Sequence, residues 1–181
     1  MTATRASHRS LTAHDPRLGP WRSFLQAHAR VSRRLDEELR SEHDLSIAEY
    51  DALLNIAEAP GRRIRMRQLA ERVVLSKSGV TRLIDRLVDD GLVERSTCAS
   101  DARGAEAVLT DEGLARLRAA SRTHLRGIET HFLAILDPGQ LEVVGRALQA
   151  VADQAGGGVT DPSMFASEGA ETPAMAPATA D

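Results

Sequence analysis

Between residues 80 and 88 the apolar side chains fall at Val80, Leu83, Ile84, Leu87 and Val88, spacings that put all five on one stripe of a helix. The other side of that helix is small, polar or basic: Ser76, Lys77, Ser78, Thr81, Arg82, Asp85 and Arg86, with Gly79 allowing close backbone approach. A segment so divided must lie with its stripe on a core and its other side open. The flanking sequence is strongly punctuated. Met66, Leu69, Ala70 and Val73 predict a short helix and a turn before it, and Gly91 is placed to terminate it. Residues 92–96 then read as a short strand, followed by a polar loop of about nine residues and a second strand over 106–109.

Longer helices are expected on both sides. Trp21, Phe24, Leu25, His28, Leu35 and Leu39 form a stripe interleaved with charged residues. Ser46 and Glu49 have the spacing of a capping box, with Leu45 and Tyr50 as its hydrophobic staple, so a second helix starts near Ile47 and stops at Pro60 and Gly61. Thr110 caps a fifth helix carrying Leu114, Leu117, Leu125, Ile128, Phe132 and Ile135. Asp137, Pro138 and Gln140 open a sixth with Leu141, Val144, Leu148 and Val151. Aromatic residues are 3% of the chain, so aliphatic side chains must fill the interior, which favours helix on helix. The expected fold is mainly α with a small two- or three-stranded β-wing, a winged helix-turn-helix over about 46–110. Helices over 18–42 and 110–152 carry more apolar surface than this core can cover, and burial against a second copy is the economical solution. Residues 1–17 and 153–181 are polar, or rich in Ala, Gly and Pro, and are expected to be disordered tails.

The net charge of −3 argues against a polyanionic partner, but its distribution reverses that inference. Residues 62–82 hold seven basic side chains against Glu71, a net of +6, which leaves −9 for the remainder. Such a local asymmetry is an electrostatic footprint for a polyanion. The lone Cys98 has no partner for a disulfide within the chain, and no CxxC pair is present. Neither a secretion signal nor a long uncharged apolar run occurs, so a reducing cytoplasm is the expected compartment, with no membrane. No HExxH, GxSxG, phosphate-cradling glycine loop or nucleophile–base pattern points to catalysis, and His124 and His131, two helical turns apart, are too distant to share a metal. No cofactor is expected.

The outer face over 76–86 suits a major groove about 12 Å wide. Its hydroxyls fit phosphates or base edges, Arg82 fits a bidentate contact to guanine, and arginines including Arg65 and Arg67 fit phosphates. The run Gln68-Leu-Ala-Glu-Arg-Val-Val-Leu-Ser-Lys-Ser-Gly-Val-Thr-Arg-Leu-Ile-Asp-Arg-Leu-Val-Asp-Asp-Gly-Leu-Val-Glu-Arg95, then Asp101-Ala-Arg-Gly104 and Val108-Leu-Thr-Asp-Glu-Gly113, closely resembles the multiple-antibiotic-resistance regulator (MarR) family over roughly residues 21–152. The resemblance implies a bacterial transcription factor whose homodimer binds double-stranded DNA at a pseudo-palindromic operator. It also implies that Ser78, Thr81 and Arg82 enter the major groove, while Asp101 and Arg103 belong to a wing that reaches the minor groove. A guanidinium on a wing suits the negative potential of a narrow minor groove, whereas Asp101 is better placed to orient a neighbouring arginine.

The resemblance further implies a small aromatic or anionic effector bound where dimerisation helices meet the winged domain. Candidate contacts are Trp21, Phe24, His28, Tyr50 and Asp51, set against the alternative that Trp21, Phe24 and His28 simply pack in a core. Cys98, with Arg95 near it in sequence, is read as an unreactive thiol rather than a redox sensor. The competing function is a winged helix used for protein or architectural contacts, without a ligand. Strong salt dependence of duplex binding separates the two.

Overall fold

The structure, a computed structural model, describes residues 11–73, 77–98 and 101–155; for Lys77, 97–98 and 101–104 the description is of backbone. A 3-10 turn, Pro16–Leu18, leads into α1 (Gly19–His43) and α2 (Ile47–Glu58). After a second 3-10 turn come β1 (Arg63–Arg65), α3 (Met66–Arg72) and α4 (Lys77–Asp89). The hairpin of β2 (Val93–Cys98) and β3 (Asp101–Leu109) is followed by α5 (Asp111–His131), a 3-10 turn and α6 (Pro138–Ala155). The small sheet is antiparallel in the order β1-β3-β2.

The hairpin departs from the sequence expectation. β3 begins at Asp101 and not at 106, and β2 runs to Cys98, so the long polar loop is largely strand. The cause is pairing: Thr97 lies opposite Ala105 and Ser96 opposite Glu106, and ladder bonds hold polar residues extended where their own alternation does not demand it. The register of the ladder shifts between Thr97 and Cys98. The third strand, β1, has one apolar residue, Ile64, which is buried between exposed Arg63 and Arg65 and pairs with Ala107.

The core is built around the apolar stripe of α4. Val80, Leu83, Ile84 and Leu87 are all at most 1% exposed, and they meet Leu39, Leu53, Ile56, Leu69, Leu92 and Val93. Each such side chain contributes roughly 1.5–3 kcal/mol on burial. Gly91, at φ +71°, ends α4 in a Schellman motif: Leu92 N–H donates to the Leu87 carbonyl and Gly91 N–H to that of Val88. Leu87 and Leu92 then meet in the core.

The wing returns to the same point. Thr110 N–H donates to the Leu92 carbonyl at 3.2 Å, its hydroxyl donates to the carbonyls of Gly91 and Leu92, and Thr110 Oγ1 accepts from Gly113 N–H to cap α5. The first turn of α5 therefore rests directly on Leu92, and a Cβ on Gly113 would stand 2.0 Å from its carbonyl oxygen. The Thr-x-x-Gly spacing is a steric and hydrogen-bonding requirement of this junction.

At the other end of the molecule α5 crosses α1. Gly127 permits close approach to Leu35 and Glu38, His131 pairs with Glu38 at 2.7 Å, and Glu42 accepts from Thr123 and Arg126. The N-terminal half of α1 leaves this crossing. Trp21, Phe24 and Leu25 are 41–55% exposed, so the described residues do not give the aromatic stripe the core packing expected of it. α6, opened by the expected Asp137–Gln140 cap, buries no side chain, and Leu125, Ile135, Val143 and Val151 are also exposed. No helix among the described residues is long and apolar enough to cross a membrane.

Two glycine substitutions separate the junction from ordinary helix. Gly113→Ala is expected to destabilise the protein by about 2 kcal/mol or more, because backbone must move. Gly145→Ala, in α6 with nothing within 4 Å of the new carbon, is expected to be stabilising by about 0.5–1 kcal/mol. Chemical denaturation of both variants, compared with wild type, checks the pair; equal effects would remove the steric account of Gly113.

Candidate nucleic-acid interface

α4 presents its polar side outward. Ser78, Thr81, Arg82, Asp85 and Arg86 are exposed, while every member of the apolar stripe but Val88 is fully buried. Arg82 has no hydrogen bond or ion pair with any described residue, so its guanidinium is available. Arg67, in α3, is ion-paired to Glu71 one turn on at 3.4 Å, with both side chains largely in solvent. Met66, Arg67 and Ala70 of α3 and Val80 and Thr81 of α4 line a hollow of about 240 Å³ between the two helices. Arg67 and Thr81 thus share one surface. Arg65 stands exposed at the end of β1, where it is also the N-cap residue of α3. The strand geometry turns Arg63 and Arg65 to one side of the sheet and Ile64 to the other.

The predicted residues at the ends of this surface are less fully described. Ser76 lies outside the described residues. Lys77 is the first residue of α4, and Asp101 and Arg103 lie in the opening of β3, with backbone alone described; Cys98 closes β2 likewise.

Two ion pairs hold α4 in place, and neither was read from the sequence. Arg86 Nε donates to Glu49 Oε1 at 2.9 Å. The other oxygen of Glu49 accepts from Ser46 N–H and Oγ, completing the capping box of α2, so one carboxylate secures both the start of α2 and the last turns of α4. Burial opposes the charge on Glu49, but bonds from Ser46 and Arg86 outweigh it and hold the carboxyl below its usual range. On the other flank Arg95 of β2 reaches Asp85 at 2.7 Å. The sequence signal for both was present as a glutamate, an aspartate and two arginines, but separations of 37 and 10 residues left the partners undetermined.

The residues considered for an effector divide into two groups. Trp21, Phe24 and His28 form a ladder on exposed α1, with ring centroids 5.9 and 6.2 Å apart. Tyr50 and Asp51 lie at the start of α2, beside the opposite end of α1. Leu39, which shares the core with Tyr50, is 18 residues from Trp21, about 27 Å along a helix. A single chain does not bring the groups together.

Around Tyr50 the structure places two polar residues that the sequence did not assign to this region. His124 of α5 stacks on Tyr50 with centroids 4.4 Å apart and is buried, with Nδ1 unpartnered among the described residues; burial pushes its pKa down. Asn55 is buried too, donating to the Asp51 carbonyl while its own Oδ1 has no partner among the described residues. A larger hollow, about 690 Å³, opens where α1 ends against α5, but Arg40, Glu42 and Arg116 on its walls already bond to Asp36, Arg126 and the His43 carbonyl.

Asp51 makes a test of this region. Its half-buried carboxyl has no polar partner among the described residues, and burial raises its pKa to about 6. The folded state therefore holds the proton more tightly than the unfolded one, and stability falls as pH rises from about 4 through 6. Asp51→Asn is expected to stabilise the protein by about 1–2 kcal/mol at pH near 7.5, with the gain vanishing near pH 4. Urea denaturation at the two pH values checks the difference; a gain independent of pH would contradict it.

The sequence pattern of the MarR family matches residues 43–104. Among solved structures, the MarR family regulator Sco3205 of Streptomyces coelicolor, determined in complex with DNA, is 33% identical, with 81% of this chain and 90% of that one covered and a TM-score of 0.73. AbsC, a MarR family regulator from the same organism, is also 33% identical over 81% of this chain and 97% of its own, with a TM-score of 0.72. A cysteine-to-serine mutant of MarR from E. coli, solved with operator DNA, is 25% identical over 79% of this chain and 99% of that one, with a TM-score of 0.68. With one-third identity over 81% of its length, the chain belongs to the MarR family, whose members are transcriptional regulators and not enzymes.

Proposed function

We propose that the protein is a sequence-specific repressor that binds double-stranded DNA as a homodimer on a pseudo-palindromic operator, in the bacterial cytoplasm. The observation that carries this reading is the open face of α4: Ser78, Thr81 and Arg82, the last unpaired among the described residues, project from a helix whose reverse side is buried at Val80, Leu83, Ile84 and Leu87. In a chain one third identical to a regulator solved on DNA, that face is the natural reader of base edges. Ser78, Thr81 and Arg82 enter the major groove. Arg65, Arg67, Ser76, Lys77 and Arg86 serve the flanking phosphates, Arg86 with the part of its guanidinium that Glu49 leaves in solvent. Arg103 takes the minor groove, with Asp101 to orient it.

The exposed apolar side chains of α1, α5 and α6 support pairing with a second copy. Two-fold symmetry then sets the two recognition helices about one DNA turn, ~34 Å, apart. A small aromatic or anionic effector is the proposed releasing signal. A site using both the Trp21–Phe24–His28 ladder and the Tyr50–Asp51 region requires the α1 of one copy to meet the α2 of the other, because one chain separates them. Coupling of about 1–3 kcal/mol between effector and operator is enough for a switch.

Selection of bound duplexes from a random pool is expected to return a palindrome. Against that duplex, Arg82→Ala is expected to relax base preference with a loss of about 1–3 kcal/mol. Lys77→Ala should weaken all sequences alike and lower the salt slope by about one. A pool that returns no preferred sequence, or a reversal of the two mutant phenotypes, rejects the assignment.

A further inference from the structure

Asp85 is an anomaly on the surface just described. It lies one helical turn beyond Thr81 and three residues beyond Arg82, exposed on the face of α4 assigned to DNA, where a carboxylate repels phosphates. Its charge does not stand alone. Arg95 Nη2 lies 2.7 Å from Asp85 Oδ1 and 3.4 Å from the Thr81 carbonyl, so one amino group on β2 reaches α4 at two points a turn apart. Arg95 is itself fixed from behind: it pairs across the ladder with Ala107, which is completely buried. The wing and the recognition helix are thereby joined on the solvent side as well as through the Leu92 junction beneath them.

We propose that Asp85 and Arg95 are positioning residues for DNA recognition: their ion pair fixes the angle between the wing and α4, so that the helix and the wing engage their two grooves in one register. This rests on the DNA-binding reading of α4. Asp85 touches no base in this arrangement; it acts through Arg95, and Arg95 in turn neutralises the carboxylate that would otherwise face the backbone. On the opposite flank, Glu49 and Arg86 tie the same helix to α2, so α4 is braced from both sides. The pair is about half exposed, which fits a small effect on folding and a directed effect on geometry.

The sign of one substitution separates positioning from simple electrostatics. Removing an acid from a surface that meets phosphates strengthens binding if charge alone matters. Asp85→Ala is expected instead to weaken binding to a palindromic duplex, selected by the wild-type protein, by about fivefold, the upper effect of losing an exposed ion pair. Its affinity for a shuffled duplex of the same length should hold or rise, so the specificity ratio drops. Asp85→Glu, which preserves the charge, should recover most of the ratio, and melting temperatures should stay within about 2 °C. Equal or tighter binding of Asp85→Ala to both duplexes overturns the proposal.

A second measurement needs no DNA. Amide exchange along β2 in the full-length protein is expected to quicken in Asp85→Ala while α2 is unchanged. Unchanged exchange along β2 also overturns the proposal. Should the wild-type protein select no duplex while β2 exchange still responds, the clamp between wing and helix stands and its assignment to DNA recognition falls.

Discussion

The carbonyl of Leu92 is the point on which this fold turns. It follows the last turn of α4, it accepts both the amide and the hydroxyl of Thr110 as the wing returns, and it bears on the first turn of α5 at Gly113. Four elements that need a fixed mutual orientation meet around one peptide unit. A buried backbone oxygen must be satisfied, and here its satisfaction requires the two ends of the hairpin to lie side by side. The position of the recognition helix relative to the long α5 is therefore decided by local chemistry, before any wider packing is considered.

From that point the molecule divides into a dense half and an open half. The dense half holds α2, α3, α4, the sheet and the adjoining ends of α1 and α5, where most large aliphatic side chains are fully buried. The open half holds the start of α1, the end of α5 and α6, where Trp21, Phe24, Leu125, Val143 and Val151 are exposed. The link between halves is polar as well as apolar: Glu42, Thr123, Arg126 and His43 bond across the α1–α5 crossing, and Gly127 lets the helices approach. The same α5 that rests on the wing junction thus extends rigidly to the unpaired apolar surface.

Much of this was legible in the sequence because it is governed by neighbours close along the chain. The Ser46–Glu49 box, the Thr110 and Asp137 caps, the Gly91 terminator and the stripe of α4 all concern residues within two turns of one another, where spacing alone fixes geometry. What stayed hidden depends on distant partners. β1 shows one buried residue among three, and the first half of β3 lacks apolar alternation, so only pairing defines either as strand. The stripe of α1 showed that one face is apolar but not what covers it, so Trp21 and Phe24 looked like core. The Glu49–Arg86 and Asp85–Arg95 pairs, and the burial of His124 against Tyr50, join residues that no local rule connects.

Closing the hairpin at its root also separates two kinds of change. Because the Leu92–Thr110 contacts clamp both ends of the excursion, residues added or removed in pairs at the tip lengthen or shorten the ribbon while every remaining side chain keeps its face. The wing is in this sense a ribbon of adjustable reach mounted on a fixed base.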